Sequence, residues 1–198
     1  MDEMSLRESN NENVRSYARD IQSAGNSLLS FINDILDISK IESGKLEIVP
    51  AEYELDSMLR DLVNMVSFRA NAKNLKLEVT VDPSLPSKLY GDDVRVKQCI
   101  TNILTNATKY TQTGTVWFRV SGTVKDQTCE LYVEVEDTGI GIKEEDLSKL
   151  FSAFDRIEEK RNRNIEGTGL GMNITQNLLH LMVTKLEVES KYGEGSKF

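Results

Sequence analysis

Residues 102–110 run Asn102-Ile103-Leu104-Thr105-Asn106-Ala107-Thr108-Lys109-Tyr110, and they predict an amphipathic helix with one polar face. Asn102 and Asn106 lie one helical turn apart on that face, and Lys109 follows three residues later. Because asparagine is unfavourable inside a helix, two on one face indicate a binding face, with a solvated polar face as the alternative. The other side is apolar and is predicted to be buried: Val96, Ile100, Ile103 and Ala107.

Three short glycine-bearing segments follow this helix. They are Asp137-Thr138-Gly139-Ile140-Gly141-Ile142, Gly167-Thr168-Gly169-Leu170-Gly171-Met172 and Gly193-Glu194-Gly195-Ser196. Each segment alone is compatible with a turn that uses glycine for geometry only. Glycine also lets the backbone approach a ligand closely. In this order, and together with the polar helix face, the segments predict one pocket that holds ATP and magnesium.

The residue types in these segments suit the two ends of a nucleotide. A buried carboxylate at Asp137 can accept a hydrogen bond from an exocyclic amine such as that of adenine, and Ile142 can form an apolar wall. The amide oxygen of Asn106 can fill one position on magnesium, which prefers hard oxygen ligands. Lys109 can neutralise a phosphate as a point charge. Free N–H groups at the helix start near Gly169 attract phosphate.

A basic cluster precedes the second glycine segment. Arg156, Lys160, Arg161 and Arg163 lie close together in a chain that is acidic elsewhere. We expect residues 155–168 to form a mobile lid whose cations meet the phosphates, with a solvated charged loop as the alternative.

Composition limits the other classes of function. The chain has 198 residues, of which 39% are hydrophobic, which suits one domain of ~100–150 residues with an appendage. Its 24 basic and 32 acidic residues give a net charge of −8, which disfavours nucleic-acid binding. There is no long apolar run, so we expect no membrane contact. Cys99 and Cys129 suit reduced thiols, and His180 is the only histidine.

An apolar heptad repeat runs through the first predicted helix, which begins near Val14 and ends at Ser43-Gly44. A single helix cannot bury such a seam, so we expect pairing with another helix or chain; packing on its own domain is the alternative. Residues 1–12 are polar and predict a loop or frayed end. The seam consists of Val14, Tyr17, Ile21, Ala24, Leu28, Phe31, Ile35 and Ile38.

The remaining elements predict an α+β fold, a two-layer α/β sandwich in which helices cover a mixed, mostly antiparallel sheet behind a long N-terminal helix. We expect Gly91-Asp92-Asp93 to open the central helix. The other predicted helices are 55–74, 144–150 and 169–182, and the predicted strands are 75–81, 115–121, 130–136 and 185–190.

These motifs resemble those of a known family. Residues 102–110 resemble the N-box of sensor histidine kinases, 137–141 the first glycine box, 151–154 the F-box and 167–171 the second glycine box. The resemblance implies the Bergerat-type ATP-binding fold, shared with gyrase-type topoisomerases, mismatch-repair ATPases and a heat-shock chaperone family. The F-box and the second glycine box favour the kinase branch.

The resemblance also implies roles by position. Asn106 would bind Mg²⁺ with Asn102 supporting the phosphate side, Lys109 would contact phosphate, and Tyr110 would pack near the ribose or base. Asp137 would bond the adenine amino group. One lid arginine would touch the terminal phosphate. The implied nucleotide contacts are Asn102, Asn106, Lys109, Tyr110, Asp137, Gly139, Gly141, Ile142, Arg161, Arg163, Gly167, Thr168, Gly169, Leu170 and Gly171.

Residues 1–44 resemble the second helix of the family's dimerisation and phosphotransfer hairpin, especially in hybrid kinases, and 45–198 its ATP-binding catalytic domain, truncated at the last strand. The acceptor histidine is absent, and we expect His180 to be a packing or surface residue. The implied parent is a cytoplasmic homodimer, with or without a membrane anchor. It moves the γ-phosphoryl of Mg-ATP to the hairpin histidine and then to a response-regulator receiver domain.

Two other functions remain as alternatives. An ATP-hydrolysing switch needs a carboxylate base near the first asparagine, but no Asp or Glu lies between Val94 and Tyr110, which disfavours hydrolysis. A non-catalytic binding or dimerisation module is the third hypothesis.

Met182-Val183-Thr184 replaces a glycine-bearing step that is often found in the family. The conformation of the turn at these residues is therefore not predicted.

Overall fold

The computed structural model describes residues 12–152 and 168–198. The chain divides into two compact units, Met1–Leu46 and Glu47–Phe198. In chain order the elements are α1 Glu12–Glu42, β1 Ala51–Glu54, α2 Leu55–Ala72, β2 Lys76–Val81, β3 Lys88–Gly91, α3 Asp93–Tyr110, β4 Thr115–Lys125, β5 Thr128–Asp137, α4 Glu144–Leu147, α5 Gly171–Leu181, β6 Glu189–Lys191 and β7 Gly195–Lys197.

Helix α1 ends at a glycine cap, as predicted. Gly44 has a left-handed φ of 64°, and the Lys45 N–H donates to the Lys40 carbonyl at 2.8 Å. Seven residues of the heptad seam are exposed in the structure: Val14, Tyr17, Ile21, Ala24, Leu28, Phe31 and Ile35. Neither α1 nor any other helix in the described ranges has the length and apolar character needed to cross a bilayer.

The second unit contains a five-stranded sheet in the order β2-β4-β5-β7-β6. Strand β2 runs parallel to β4, and the other neighbours are antiparallel. This confirms the predicted mixed, mostly antiparallel sheet. The β4–β5 hairpin turns through Asp126 and Gln127, both with left-handed φ angles, which matches the right-handed twist of paired strands.

Helices cover one face of this sheet. Val116, Phe118 and Val120 alternate along β4 and are almost fully buried. Their neighbours Trp117 and Arg119 lie on the other face, where Arg119 pairs with two glutamates of β5. The core joins the sheet to α2 and α3 through Leu55, Met58, Leu59, Leu62, Val66, Ile100, Ile103, Leu104, Ala107, Val116, Phe118, Val120 and Val135.

Asp92 fixes the beginning of α3. One oxygen of its carboxylate accepts from the Arg95 N–H at 3.1 Å, and the other accepts from the Val49 N–H at 2.9 Å. The first bond is an N-cap, as the sequence predicted. The second ties the segment before β1 to the same helix start, so the direction of α3 is set by two independent contacts.

The structure differs from the predicted elements in three respects. A separate two-stranded sheet, β1 with β3, was not predicted, because four-residue strands carry too little alternation to detect. The predicted strand 185–190 is wrong, since pairing starts only at Glu189, which lies opposite Lys197 of β7. The predicted helices are also longer than α2, α4 and α5 by a few residues.

Val183 lies in the turn whose conformation could not be predicted from the sequence. The Thr184 N–H donates to the Leu179 carbonyl at 2.9 Å, which closes a glycine-type helix cap, and Val183 has a φ of 58° within it. A β-branched residue is strained in this region. Because Val183 is also 95% exposed, its side chain gains no burial that would offset the strain.

Replacing Val183 by glycine is therefore expected to stabilise the chain by about 1 kcal/mol and to raise Tm by roughly 2–4 °C. Thermal unfolding of the two proteins measures the change. Val49→Gly is the matched control, because Val49 is exposed but has no left-handed φ, and it should lower Tm slightly. A Val183→Gly variant no more stable than wild type would show that the turn is not strained.

Candidate functional site

Those predicted site residues that the structure describes lie on three neighbouring segments of the second unit: α3, the loop after β5 and the beginning of α5. The turn between β6 and β7 packs behind the loop. Hydrogen bonds join the loop after β5 to Asp137 and to the end of α3. Another hydrogen bond joins the start of α5 to Asn102 of α3. The polar face of α3 is thus the common element of the site.

Asp137 ends β5 and is 7% exposed. Its Oδ1 accepts from the Gly139 N–H at 2.8 Å, and the Thr111 hydroxyl donates to the same oxygen at 3.5 Å. The Ser196 backbone N–H donates to the carboxylate as well. Burial raises the pKa of Asp137 from 3.8 to about 6, although these hydrogen bonds favour the charged form.

Gly139 places the loop directly on the end of α3. A Cβ here would lie 2.6 Å from Asp137 Oδ1 and 2.7 Å from the Tyr110 carbonyl oxygen, so no larger residue fits without movement. The Ile140 N–H donates to that same carbonyl at 3.3 Å. These contacts bring the carboxylate of Asp137 next to the helix end that carries Lys109.

The third glycine segment supports the first from behind. A Cβ on Gly141 would lie 2.1 Å from the Lys191 carbonyl oxygen, and one on Gly195 would lie 1.9 Å from that of Asp137. The Ile142 N–H donates to Ser190 Oγ at 2.8 Å. Gly141 and Ile142 are therefore held by β6, and the Gly193 N–H of the following turn donates to the Ile140 carbonyl at 2.8 Å. The third glycine segment, which was predicted as part of the pocket, thus supports the loop after β5.

Asn102 links α3 to the second glycine segment. Its amide Nδ2 donates to the Gly171 carbonyl and to Thr175 Oγ1, both at 3.2 Å. A Cβ on Gly171 would touch Asn102 at 3.4 Å, which explains the close approach of the two helices. Asn106 follows one turn later and is half-buried. The two asparagines share a face, as their spacing predicted.

The segment before α5 forms a compact turn. The Leu170 N–H donates to Thr168 Oγ1 at 3.1 Å, and Gly169 has a φ of 74°. Leu170 itself is fully buried, which anchors the turn. Of the amides predicted to meet phosphate, that of Leu170 already has a protein acceptor, while the start of α5 at Gly171 lies beside Asn102.

Lys109 and Tyr110 lie together at the other end of α3. The Lys109 Nζ is 5.0 Å from the centroid of the Tyr110 ring, within the range of a cation–π contact. Arg161, Arg163, Gly167 and the other residues of the expected lid, apart from Thr168, lie outside the described residues. So does the second phenylalanine of the F-box, whereas the Phe151 carbonyl accepts from Asn173 at 2.7 Å.

Two residues of the site were missed by the sequence analysis. Thr111 is fully buried, and its hydroxyl shares its one proton between the Ala107 carbonyl at 2.7 Å and Asp137 Oδ1 at 3.5 Å. A hydroxyl directly after a polar helix was the only signal in the sequence. Ser190 holds the loop after β5 and also donates to the Gly195 carbonyl, a role that depends on the sheet topology.

Residues 91–198 match the family model described as histidine kinase-, DNA gyrase B-, and HSP90-like ATPase. Hybrid signal transduction histidine kinase B of Dictyostelium discoideum is 41% identical over 179 residues, which cover 90% of this chain and 9% of that protein. Sensor protein GacS of Pseudomonas syringae pv. syringae is 38% identical over 185 residues, 92% of this chain and 20% of its own length.

The solved structure of full-length ShkA in complex with AMPPNP has a TM-score of 0.77 and 27% sequence identity. It covers 100% of this chain and 40% of its own chain. The protein thus spans a small part of the relatives that it matches. The family model covers α3 and all three glycine segments, which are the segments that meet in the candidate site.

The raised pKa of Asp137 predicts how the stability of the fold changes with pH. Between pH 3.8 and about 6 the folded chain binds a proton that the unfolded chain does not, so this group adds stability as the pH falls and loses it as the pH rises through about 6. Relative to Asp137→Asn, which cannot titrate, wild type should gain about 1–3 kcal/mol of unfolding free energy between about pH 7.5 and about pH 4.5.

Urea unfolding of both proteins at the two pH values measures this difference, and the other titrating groups cancel in the comparison. A difference between wild type and Asp137→Asn that does not change with pH would mean that the carboxylate is solvated.

Proposed function

Because the chain belongs to the histidine kinase-, DNA gyrase B- and HSP90-like ATPase family, we propose that its second unit binds ATP along α3. The observation that carries the proposal is the burial of Asp137. Among the described residues no lysine or arginine pairs with this carboxylate, and burying an unpaired carboxylate is costly. A strongly perturbed carboxylate beside a glycine loop is a candidate for ligand binding.

Asp137 would recognise the base. A carboxylate accepts a hydrogen bond from the exocyclic amine of adenine, whereas guanine presents an oxygen at the same position. Gly139 and Gly141 have no side chains that would fill the space beside the carboxylate. Ile142 would supply an apolar wall. The site should therefore prefer adenine nucleotides to guanine nucleotides.

The phosphates would lie toward the middle of α3 and the start of α5. Asn102 and Thr111 are separated by roughly 14 Å along the helix, at about 1.5 Å per residue. This length allows one extended ligand to meet groups along the whole face. We propose that Lys109 and the amides of Gly169 and Gly171 contact phosphate, with Arg161 or Arg163 on the terminal group.

Magnesium would be held mainly by the nucleotide. The described residues contain no group of three or more His, Cys, Asp or Glu side chains able to hold a metal ion. Magnesium commonly keeps waters and bridges phosphates while taking one or two protein ligands. The half-buried amide of Asn106 fits this need, because it offers an oxygen without adding charge beside the phosphates. When bound, the ion would neutralise phosphate charge.

In the parent protein, this unit would act as the catalytic domain of a sensor histidine kinase. We propose that residues 1–44 correspond to the second helix of the phosphotransfer hairpin and that the exposed seam of α1 pairs within a cytoplasmic homodimer. The γ-phosphoryl would pass to a hairpin histidine and then to a receiver domain. His180 is exposed on α5 and is not proposed as the acceptor.

Calorimetric titration with Mg-ATP and Mg-GTP tests the binding proposal. Wild type should bind ATP more tightly than GTP, and Asp137→Asn should weaken ATP binding by about 1–3 kcal/mol, because a buried polar partner is left mismatched. Asp146→Asn is the matched control: Asp146 of α4 is also buried, but its carboxylate pairs with the exposed Lys149, and its replacement should leave affinity unchanged. Equal affinity of wild type and Asp137→Asn would remove Asp137 from the base site.

Incubation with labelled ATP and a purified acceptor hairpin tests the transfer. Label should appear on the hairpin histidine and not on this chain, and Asn106→Ala should abolish the transfer. Label on this chain alone would refute the assignment. Steady phosphate release without an acceptor would instead support the hydrolysing switch, although α3 has no carboxylate after Asp93.

A further inference from the structure

The C-terminal end of α3 is held by a side chain from another element. A helix leaves its last four carbonyl groups without intrahelical donors. Lys73 Nζ donates to the carbonyl oxygens of Thr108 and Lys109, both at 2.8 Å, and lies 3.4 Å from that of Thr111. One ammonium group therefore serves three carbonyls at the helix end.

The remaining carbonyl at this end, that of Tyr110, is bound by the loop after β5. The Tyr110 oxygen accepts from the Ile140 N–H at 3.3 Å and lies against Gly139. Thr111, the next residue, donates its hydroxyl toward Asp137. The same short stretch of backbone that Lys73 binds thus sets the position of the loop and of the carboxylate.

Lysine at position 73 is suited to this task. An ammonium has three donors, and its charge interacts favourably with the negative end of the helix dipole. Its backbone is fixed, because Lys73 caps α2 and its N–H donates to the Ala70 and Asn71 carbonyls. Lys73 thereby connects the end of one core helix to the end of another, 35 residues further along the chain.

We propose that Lys73 is a positioning residue for the nucleotide site: it fixes the end of α3, and with it Lys109, Tyr110 and the Thr111–Asp137 contact. Nucleotide affinity then depends on a cation that acts only through the backbone of α3. The inference rests on the proposed function of this site. It adds a determinant that lies outside all of the glycine and asparagine segments.

Three variants test the role of the ammonium group. Lys73→Met keeps the length of the side chain and removes its donors, and should weaken ADP binding about tenfold. Lys73→Arg keeps a cation with several donors and should stay within about threefold of wild type. Lys88→Met is the matched control, since Lys88 is an exposed lysine paired with Glu54 on the small sheet, and should bind as wild type. Calorimetry is done well below the Tm of each protein.

Amide hydrogen exchange of the free protein gives a second readout that needs no nucleotide. In Lys73→Met the N–H groups of Gly139 and Ile140 should exchange faster than in wild type and Lys88→Met, while the β4–β5 pairs stay protected. Should Lys73→Met not fold, Lys73→Gln, which keeps donors without charge, takes its place and should show the same pattern.

Several results would overturn the proposal. A folded Lys73→Met with wild-type affinity and unchanged exchange at Gly139 and Ile140 would show that the contact has no positioning role. A uniform rise in exchange with unchanged affinity would indicate a purely structural role. Absence of ADP binding by wild type would refute the proposed function, while the exchange data would still decide whether Lys73 fixes the loop.

Discussion

The buried carboxylate of Asp137 is the constraint on which the rest of the site depends. A carboxylate that is 7% exposed must be satisfied by nearby donors, and Gly139, Thr111 and Ser196 supply them from three different segments. Thr111 reaches Asp137 through its side chain, but the other two segments approach Asp137 more closely than a side chain would allow. This requirement explains why glycine occupies positions 139 and 195, where a Cβ would fall within 3 Å of Asp137 atoms.

Helix α3 couples this constraint to the stability of the fold. Its apolar face carries Ile100, Ile103, Leu104 and Ala107 into the core between α2 and the sheet. Its polar face brings Asn102 against α5, and its end meets the loop of Asp137. A shift of α3 along its axis would disturb core and site together, so the packing that stabilises the domain also fixes the spacing of the functional groups.

Local patterns were sufficient to predict much of this arrangement. The cap at Asp92, the glycine end of α1, the β4–β5 hairpin and the polar face of α3 each follow from residues within a few positions of one another. The pairing of β1 with β3 and the start of β6 could not be predicted, because a short strand is defined by its partner. Thr111, Ser190 and Lys73 were missed for the same reason, since their partners are distant in sequence.

The composition of α3 also bears on which chemistry the domain can perform under the proposed function. The only carboxylate of α3 lies at its first residue, Asp93, two turns and more before Asn102. A base able to activate water beside the phosphates would have to come from elsewhere in the protein. Under that proposal, Lys109, Asn106 and the amides before α5 would supply positioning and charge neutralisation to phosphoryl transfer. The nucleophile would then be delivered by a separate hairpin, and the role proposed for α3 is to hold the nucleotide rather than to accept its phosphoryl group.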